Sequence, residues 1–183
     1  DGGPADEDRD SFVTMTVDRD RAVVGEQVVL TFAFYRSTRI SAFESPEYTP
    51  PRTEGFWRED LPPERHTTKV IRSRRYQVTE IQYALFPTRA GDLTIGEAVA
   101  GLPDDAFGSF FRRDRRDRRA QGPRVLRTEP IVVHVDPLPE PTPDGFTGTV
   151  ASELRLDASV DRREIDEGEA VTFTVRLEGV GNL

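Results

Sequence analysis

The 183-residue chain has no cysteine, which excludes disulfide bonds, thiol catalysis and cysteine-ligated zinc but identifies no compartment. Lysine is nearly missing as well. Lys69 is the one lysine among 25 basic residues, so arginine carries almost all the positive charge. Histidine is confined to His66 and His134. No apolar run approaches the ~20 residues that a membrane-spanning helix requires. Also missing are HExxH, GxSxG, a P-loop, and a GxGxxG set between a strand and a helix, the short motifs of metalloprotease, serine hydrolase and nucleotide chemistry. A formal net charge of −8 argues against nucleic acid as the main partner. The chain therefore reads as a non-enzyme, and no cofactor is expected.

What the chain does contain is one stretch written twice. Residues 17–34, VDRDRAVVGEQVVLTFAF, align without a gap on residues 160–177, VDRREIDEGEAVTFTVRL. Val17, Asp18, Arg19, Gly25, Glu26, Val28 and Thr31 recur as Val160, Asp161, Arg162, Gly168, Glu169, Val171 and Thr174. An internal repeat sets the domain count. In the second copy Val171, Phe173, Val175 and Leu177 alternate with polar residues, the period of two of a half-buried strand. Gly25 and Gly168 stand just before the long strand, where a turn with positive φ favours glycine. Many immunoglobulin-like modules open on a strand, a Gly-Glu turn and a second strand. Apolar content of 36% suffices for a core, and 14 prolines with 14 glycines in short runs favour all-β structure.

The expected architecture is all-β: tandem immunoglobulin-like β-sandwich modules, the second incomplete. Residues 1–10 (DGGPADEDRD) read as a disordered acidic N-terminus. Residues 11–136 form the first sandwich, 137–145 a proline-rich linker that prefers an extended form, and 146–183 the opening strands of the second module, expected to continue further. Within the first sandwich, strands are expected at 11–17, 26–36, 65–73, 75–86, Leu93–Ile95, Ala98–Ala100 and 125–135, with short extended pieces at Ile40–Phe43 and Glu54–Arg58. The strand at 26–36 is apolar on both faces, so it is covered on both. In 75–86, Tyr76 and Val78 are out of phase with Ile81, Tyr83 and Leu85, which predicts a bulge near Thr79 or Glu80. Residues 37–63 read as turn-rich because of five prolines. Residues 102–124 read as a long solvated loop without apolar period.

Interaction candidates follow from this layout. Phe56 and Trp57 are adjacent, so one faces inward and one outward; a core tryptophan is expected ahead of a ligand platform. Phe107, Phe110 and Phe111 with Arg112 and Arg113 begin the arginine run of the long loop, a solvated block or else a contact for a membrane surface or an acidic partner. His134 reads as an outward strand position. Asp136, Glu140, Asp144 and the acidic stretch 161–169 stand at the module junction, where calcium could bind, though no fixed loop motif is matched.

In their order, VDRDRAVVGEQVVLTF, YALFPTRAGDLTIGEAVAG, DDAFGSFFRR, HVDPLPEP and FTGTVASELRLDASVDRREIDEGEAVTFTVRLEGVGNL resemble the BatD family of aerotolerance-operon, or oxygen-tolerance, proteins. The ordered signature is P-x-x-A-G, F-G-x-F-F, V-x-P-L-P, F-T-G and G-x-G-N-L. The arginine run matches no pattern of that family. The resemblance implies a bacterial envelope stress protein with a signal peptide, immunoglobulin-like modules facing the periplasm and a later membrane anchor. It also implies partners with von Willebrand A domains, tetratricopeptide repeats and a MoxR-type AAA+ ATPase; it supplies no catalytic residues. The expected role is a scaffold or protein-interaction module of an envelope complex. The alternative is a β-sandwich module that binds carbohydrate or calcium. The uncovered apolar face of the second copy must find other cover, by packing on the first module, which keeps the fragment monomeric, or by pairing with a second chain as a dimer, the expectation favoured here.

Overall fold

The computed structural model describes residues 11–38, 46–102 and 124–182. Twelve strands run in the order β1 (Ser11–Val17), β2 (Arg21–Val23), β3 (Val28–Ser37), β4 (Glu47–Thr49), β5 (Phe56–Ile71), β6 (Arg74–Pro87), β7 (Gly91–Ile95), β8 (Val99–Leu102), β9 (Arg124–Arg127), β10 (Ile131–Asp136), β11 (Val150–Val160) and β12 (Phe173–Asn182). The described residues contain no helix.

One layer is the sheet β1-β3-β6-β5. Facing it are two three-stranded sheets, β2-β10-β7 and β4-β8-β9. These two form one layer in effect, because β7 and β8 are a single path bent at Gly96–Glu97–Ala98, and β9 and β10 a second path bent at Thr128–Glu129–Pro130. The bends are tied to one another. The Thr128 amide donates to the Ala98 carbonyl at 3.0 Å, and the Ala98 amide donates to Thr128 Oγ1 at 2.9 Å in a buried position. The layer thus runs β2, then β10 with β9, then β7 with β8, then β4, and β2 lies parallel to β10. Four strands in this order facing three, with a short first-strand segment crossing to pair with the last strand, is the immunoglobulin-like sandwich.

The alternation of β3 builds the core. Val28, Leu30, Phe32 and Phe34 point to the second layer, where Ala22, Leu93, Ile95, Val133 and Val135 meet one half and Ala98, Ala100 and Leu126 the other. The opposite face of β3 is apolar too, as its sequence predicts. Phe12, Ala33, Tyr76 and Val78 form a separate buried cluster there, with Tyr35 packed against it. Phe12 stacks on Tyr35 at 4.3 Å between ring centroids, and Tyr76 meets Phe12 edge-on at 5.4 Å.

The expected bulge in β6 is absent: β3 and β6 stay in register from Val28↔Leu85 to Ser37↔Tyr76. The phase change that suggested it is instead a change of face. Ile81, Tyr83 and Leu85 serve the core, while Tyr76 and Val78 serve the outer cluster. The irregularity belongs to β5, between Leu61 and Arg65, where Pro62 and Pro63 remove ladder donors. Two further expectations need correction. The stretch 37–63 contains β4 and the first half of a 16-residue strand, because an edge strand tolerates prolines that a central strand does not. The strand at 125–135 is two strands in two sheets, separated by the Thr128 bend. The expected piece Ile40–Phe43, the N-terminal segment 1–10 and the loop residues 103–123 lie outside the described residues.

β11 and β12 form an antiparallel ribbon from Val150↔Asn182 to Val160↔Phe173. The repeated residues explain themselves here. The Val29 amide donates to Asp18 Oδ1 at 2.7 Å, and the Thr172 amide donates to Asp161 Oδ1 at 2.9 Å. Arg19 pairs with Glu26, and Arg162 pairs with Glu169. The Glu26 and Glu169 amides close the same turn onto the Val23 and Asp166 carbonyls, and Gly25 and Gly168 take φ of 81° and 89°. The duplicated stretch is a clasp between two strands, and its recurring polar residues and glycine are the ones the clasp uses. In the first copy the apolar face of the clasp is the core. In the second, Leu154, Leu156, Phe173, Val175 and Leu177 are exposed.

Candidate interaction surface

Of the residues singled out in the sequence, Phe56 and Trp57 open β5, and Phe56 is the one that packs against the core. Trp57 is 64% exposed and donates from Nε1 to Glu59 Oε1 at 3.2 Å. The expectation of a core tryptophan is therefore reversed, because Trp57 falls on the opposite face of an edge strand from Phe56. Phe107, Phe110, Phe111, Arg112 and Arg113 lie outside the described residues.

The junction carboxylates do not converge on a cation. Asp136 accepts from Arg21 Nε at 2.8 Å and from Arg21 Nη2 at 3.1 Å, and this bond holds its carboxyl below the usual range. His134 is exposed, as expected of an outward position, but it is not idle. Its Nδ1 stands 2.7 Å from Asp92 Oδ1, and its Nε2 3.5 Å from Asp136 Oδ1. A carboxylate taken up by a guanidinium has little left for calcium, which needs six or more oxygens. Among the described residues no group of three or more His, Asp or Glu is placed to hold a metal ion.

What β5 and β6 make together is a surface of another kind. Among the described residues β5 ends the first layer and pairs on one side alone, with β6. Every residue from Trp57 to Val70 is exposed. The two strands join through Arg72 and Ser73, whose φ values of 47° and 66° are those of a type I′ hairpin turn. Beyond Phe34 and Ile81 the core-facing side of this arm becomes polar. The register places Arg36, Gln77 and Thr68 in one row, and Phe34, Thr79 and His66 in the next. Arg36, His66, Thr68, Gln77 and Thr79 line a shallow depression of about 380 Å³. A second, of about 300 Å³, continues along Thr38, Val70, Ser73 and Arg75. On the other side Lys69 donates to Glu80 at 2.7 Å, which raises its pKa, and lies 5.8 Å over the Tyr35 ring.

The charge of this arm was legible and is easily passed over. From Arg65 to Thr79 the sequence RHTTKVIRSRRYQVT holds Arg65, Lys69, Arg72, Arg74 and Arg75 and no carboxylate, within a chain carrying 33 acidic residues. The denser arginine run at 112–119 draws the eye first. The signal at 65–79 is the lack of acid on a strand pair, rather than the amount of base.

Among the described residues no helix is long and apolar enough to cross a membrane, which leaves β-barrels unaddressed. Comparison with curated proteins and with solved structures gave no match. A family model does match, that of the BatD DUF11-like domain, over residues 15–135. The match begins in β1 and closes one residue before the end of β10, so it spans the sandwich that carries the arm. The chain belongs to the BatD family, whose members are envelope-associated proteins of the aerotolerance operon.

Proposed function

We propose that this chain is a non-enzymatic protein-interaction module, a scaffold on the periplasmic side of a bacterial envelope complex that serves the stress response. The observation that carries the reading is β5: sixteen residues of edge strand, exposed from Trp57 to Val70 and, among the described residues, unpaired on their outer side. A strand edge offers backbone donors and acceptors to a further strand, and sheet augmentation is a recurrent way for such modules to bind. The reading includes partners of the von Willebrand A or tetratricopeptide class and an anchor in the inner membrane, as the resemblance to the family implies; membership in that family supports the envelope setting.

The test places photo-crosslinking residues at Trp57, Thr67 and Val70 of the full-length protein in its own envelope, with Val29 as an off-edge control. Adducts to envelope proteins from the β5 positions are expected. Adducts confined to Val29 would move the interface off the edge, and none from any position would overturn the scaffold reading. Carbohydrate binding has one observation in its favour, the exposed Trp57 beside Glu59. Glycan titration monitored by Trp57 fluorescence tests it directly. Calcium binding at the junction has lost its support, since Asp136 is engaged by Arg21.

A further inference from the structure

We infer that the far half of β5, Arg65 to Ile71, is a strand-addition site for an extended acidic segment of a partner protein. This rests on the interaction reading above and names its surface and the chemistry of its occupant. Three observations converge. First, the near half of the edge is closed to pairing by Pro62 and Pro63, which lack amide donors, whereas Arg65–Ile71 contains no proline. Second, Arg65–Ile71 carries no carboxylate, and with the neighbouring strands its basic groups outnumber the one acid beside it, Glu80. Arg65 and Lys69 share one face, while His66, Thr68 and Val70 share the other beside Arg36 and Arg75. Lys69 is committed to Glu80, whereas the Arg65 side chain makes no hydrogen bond or ion pair with any described residue.

Third, the charge selects the partner. A basic edge resists another copy of itself, which is how edge strands are kept from self-association. It attracts a strand bearing carboxylates. In a strand added to β5, alternate side chains would fall on the His66–Thr68 face, over the depression lined by Arg36, Gln77 and Thr79. There the Arg75 guanidinium, the Thr68 hydroxyl and the N–H groups Arg36 keeps beyond its bond to Gln77 supply donors for carboxylate oxygens, while the Thr79 hydroxyl is engaged with His66 Nδ1. Backbone pairing supplies affinity, and alternate-side-chain charge supplies selection.

The experiment uses the whole chain and fluorescence anisotropy with labelled synthetic peptides long enough to span Arg65–Ile71. One alternates Glu and Thr, the second replaces Glu by Gln, and the third keeps the Glu but replaces Thr by Pro, so that it cannot pair as a strand. The Glu–Thr peptide is expected to bind with an affinity that falls as salt rises. The Gln and Pro peptides are expected to bind about tenfold more weakly or worse. The double variant His66→Glu and Arg75→Glu alters two exposed side chains, and its melting temperature checks that folding is intact. It is expected to lose the Glu–Thr peptide. Equal binding of the Pro peptide would show that charge alone is read and would overturn strand addition. Equal binding of the Gln peptide would overturn the acidic selectivity. If all peptides fail while crosslinking from other faces in the envelope persists, this site falls and the scaffold reading stands.

Discussion

The two copies of the clasp make an internal control for the way the second begins. Gly25 and Gly168 share the same turn and nearly the same φ, 81° and 89°. Their surroundings differ. A β-carbon at Gly25 would stand 3.2 Å from Cγ2 and 3.7 Å from Cβ of Val150, at the start of β11, while at Gly168 it would meet nothing within 4 Å. Placing alanine in the left-handed region costs roughly 1–2 kcal/mol, offset by about 0.4–1 kcal/mol because the unfolded chain also loses freedom. Gly168→Ala should therefore cost about 1 kcal/mol or less, and only in the ribbon. Gly25→Ala carries the same backbone cost plus the displacement of Val150. Overpacking of this kind adds roughly 1 kcal/mol. The assay is urea unfolding followed by far-UV circular dichroism, because Trp57 is already solvent-exposed and would report poorly. A double-mutant cycle with Val150→Ala isolates the contact. The excess cost of Gly25→Ala should vanish in the Val150→Ala background, leaving the backbone term alone. If Gly25→Ala costs the same in both backgrounds, Val150 does not rest on the β2–β3 turn in solution and the docking of β11 there is wrong.

Three other outcomes follow from the packing. Thr128→Val leaves the buried Ala98 amide without its acceptor and should destabilise the sandwich by about 1–3 kcal/mol in the same urea assay. Asp136 has its carboxyl lowered from the usual 3.8, first by the Arg21 hydrogen bond, so the stability it contributes is present above the ordinary carboxylate pKa and is lost as pH falls through its own lower value. Arg21→Gln should raise that pKa in a carboxyl NMR titration and remove this acid-side dependence. Tyr48 has a buried hydroxyl that faces Tyr83 without a hydrogen bond of good geometry among the described residues, and burial foremost, then the nearness of Tyr83, raises its pKa. Tyr48→Phe should be neutral or slightly stabilising on thermal unfolding, and a clear loss would show that the hydroxyl is satisfied in solution.

The clasp was legible in the sequence because it is local: an Asp, an Arg, a Gly-Glu turn and an alternating strand sit within a short span and act on one another. The two-faced burial of β3 was legible for the same reason, since Val29, Ala33 and Tyr35 stand beside the core set. What escaped depends on pairing between distant segments. The split between β9 and β10 is set by Thr128 meeting Ala98 across the layer, and nothing within VLRTEPIVVHV marks that meeting. β5 was hidden because its prolines read as turns until its place at a sheet edge is known. Tryptophan favours burial in general, but the parity of β5 is fixed by Phe56 joining the core, which turns Trp57 outward.

The position of the outer aromatic cluster links the fold to the proposed surface. Past Phe34 and Ile81 the core face of the arm changes from apolar residues to Arg36, Thr79, Gln77 and His66. An isolated two-stranded hairpin is marginal in water, so the arm needs support from elsewhere to present a fixed edge. The cluster of Phe12, Ala33, Tyr76 and Val78 lies on the other side of the same strands, at the same level along them. It ties β1, β3 and β6 together through the Phe12–Tyr35 stack and the edge-on Tyr76 ring. Lys69 joins β5 to it, bonded to Glu80 and poised over Tyr35. The aromatic side therefore fixes the strands whose opposite side is left polar. An edge held in this way meets a partner strand with little further ordering to do, and binding loses least when the site is ordered beforehand. On this argument the apolar outer face of β3, the first anomaly in the sequence, is what makes a basic edge available as a rigid template.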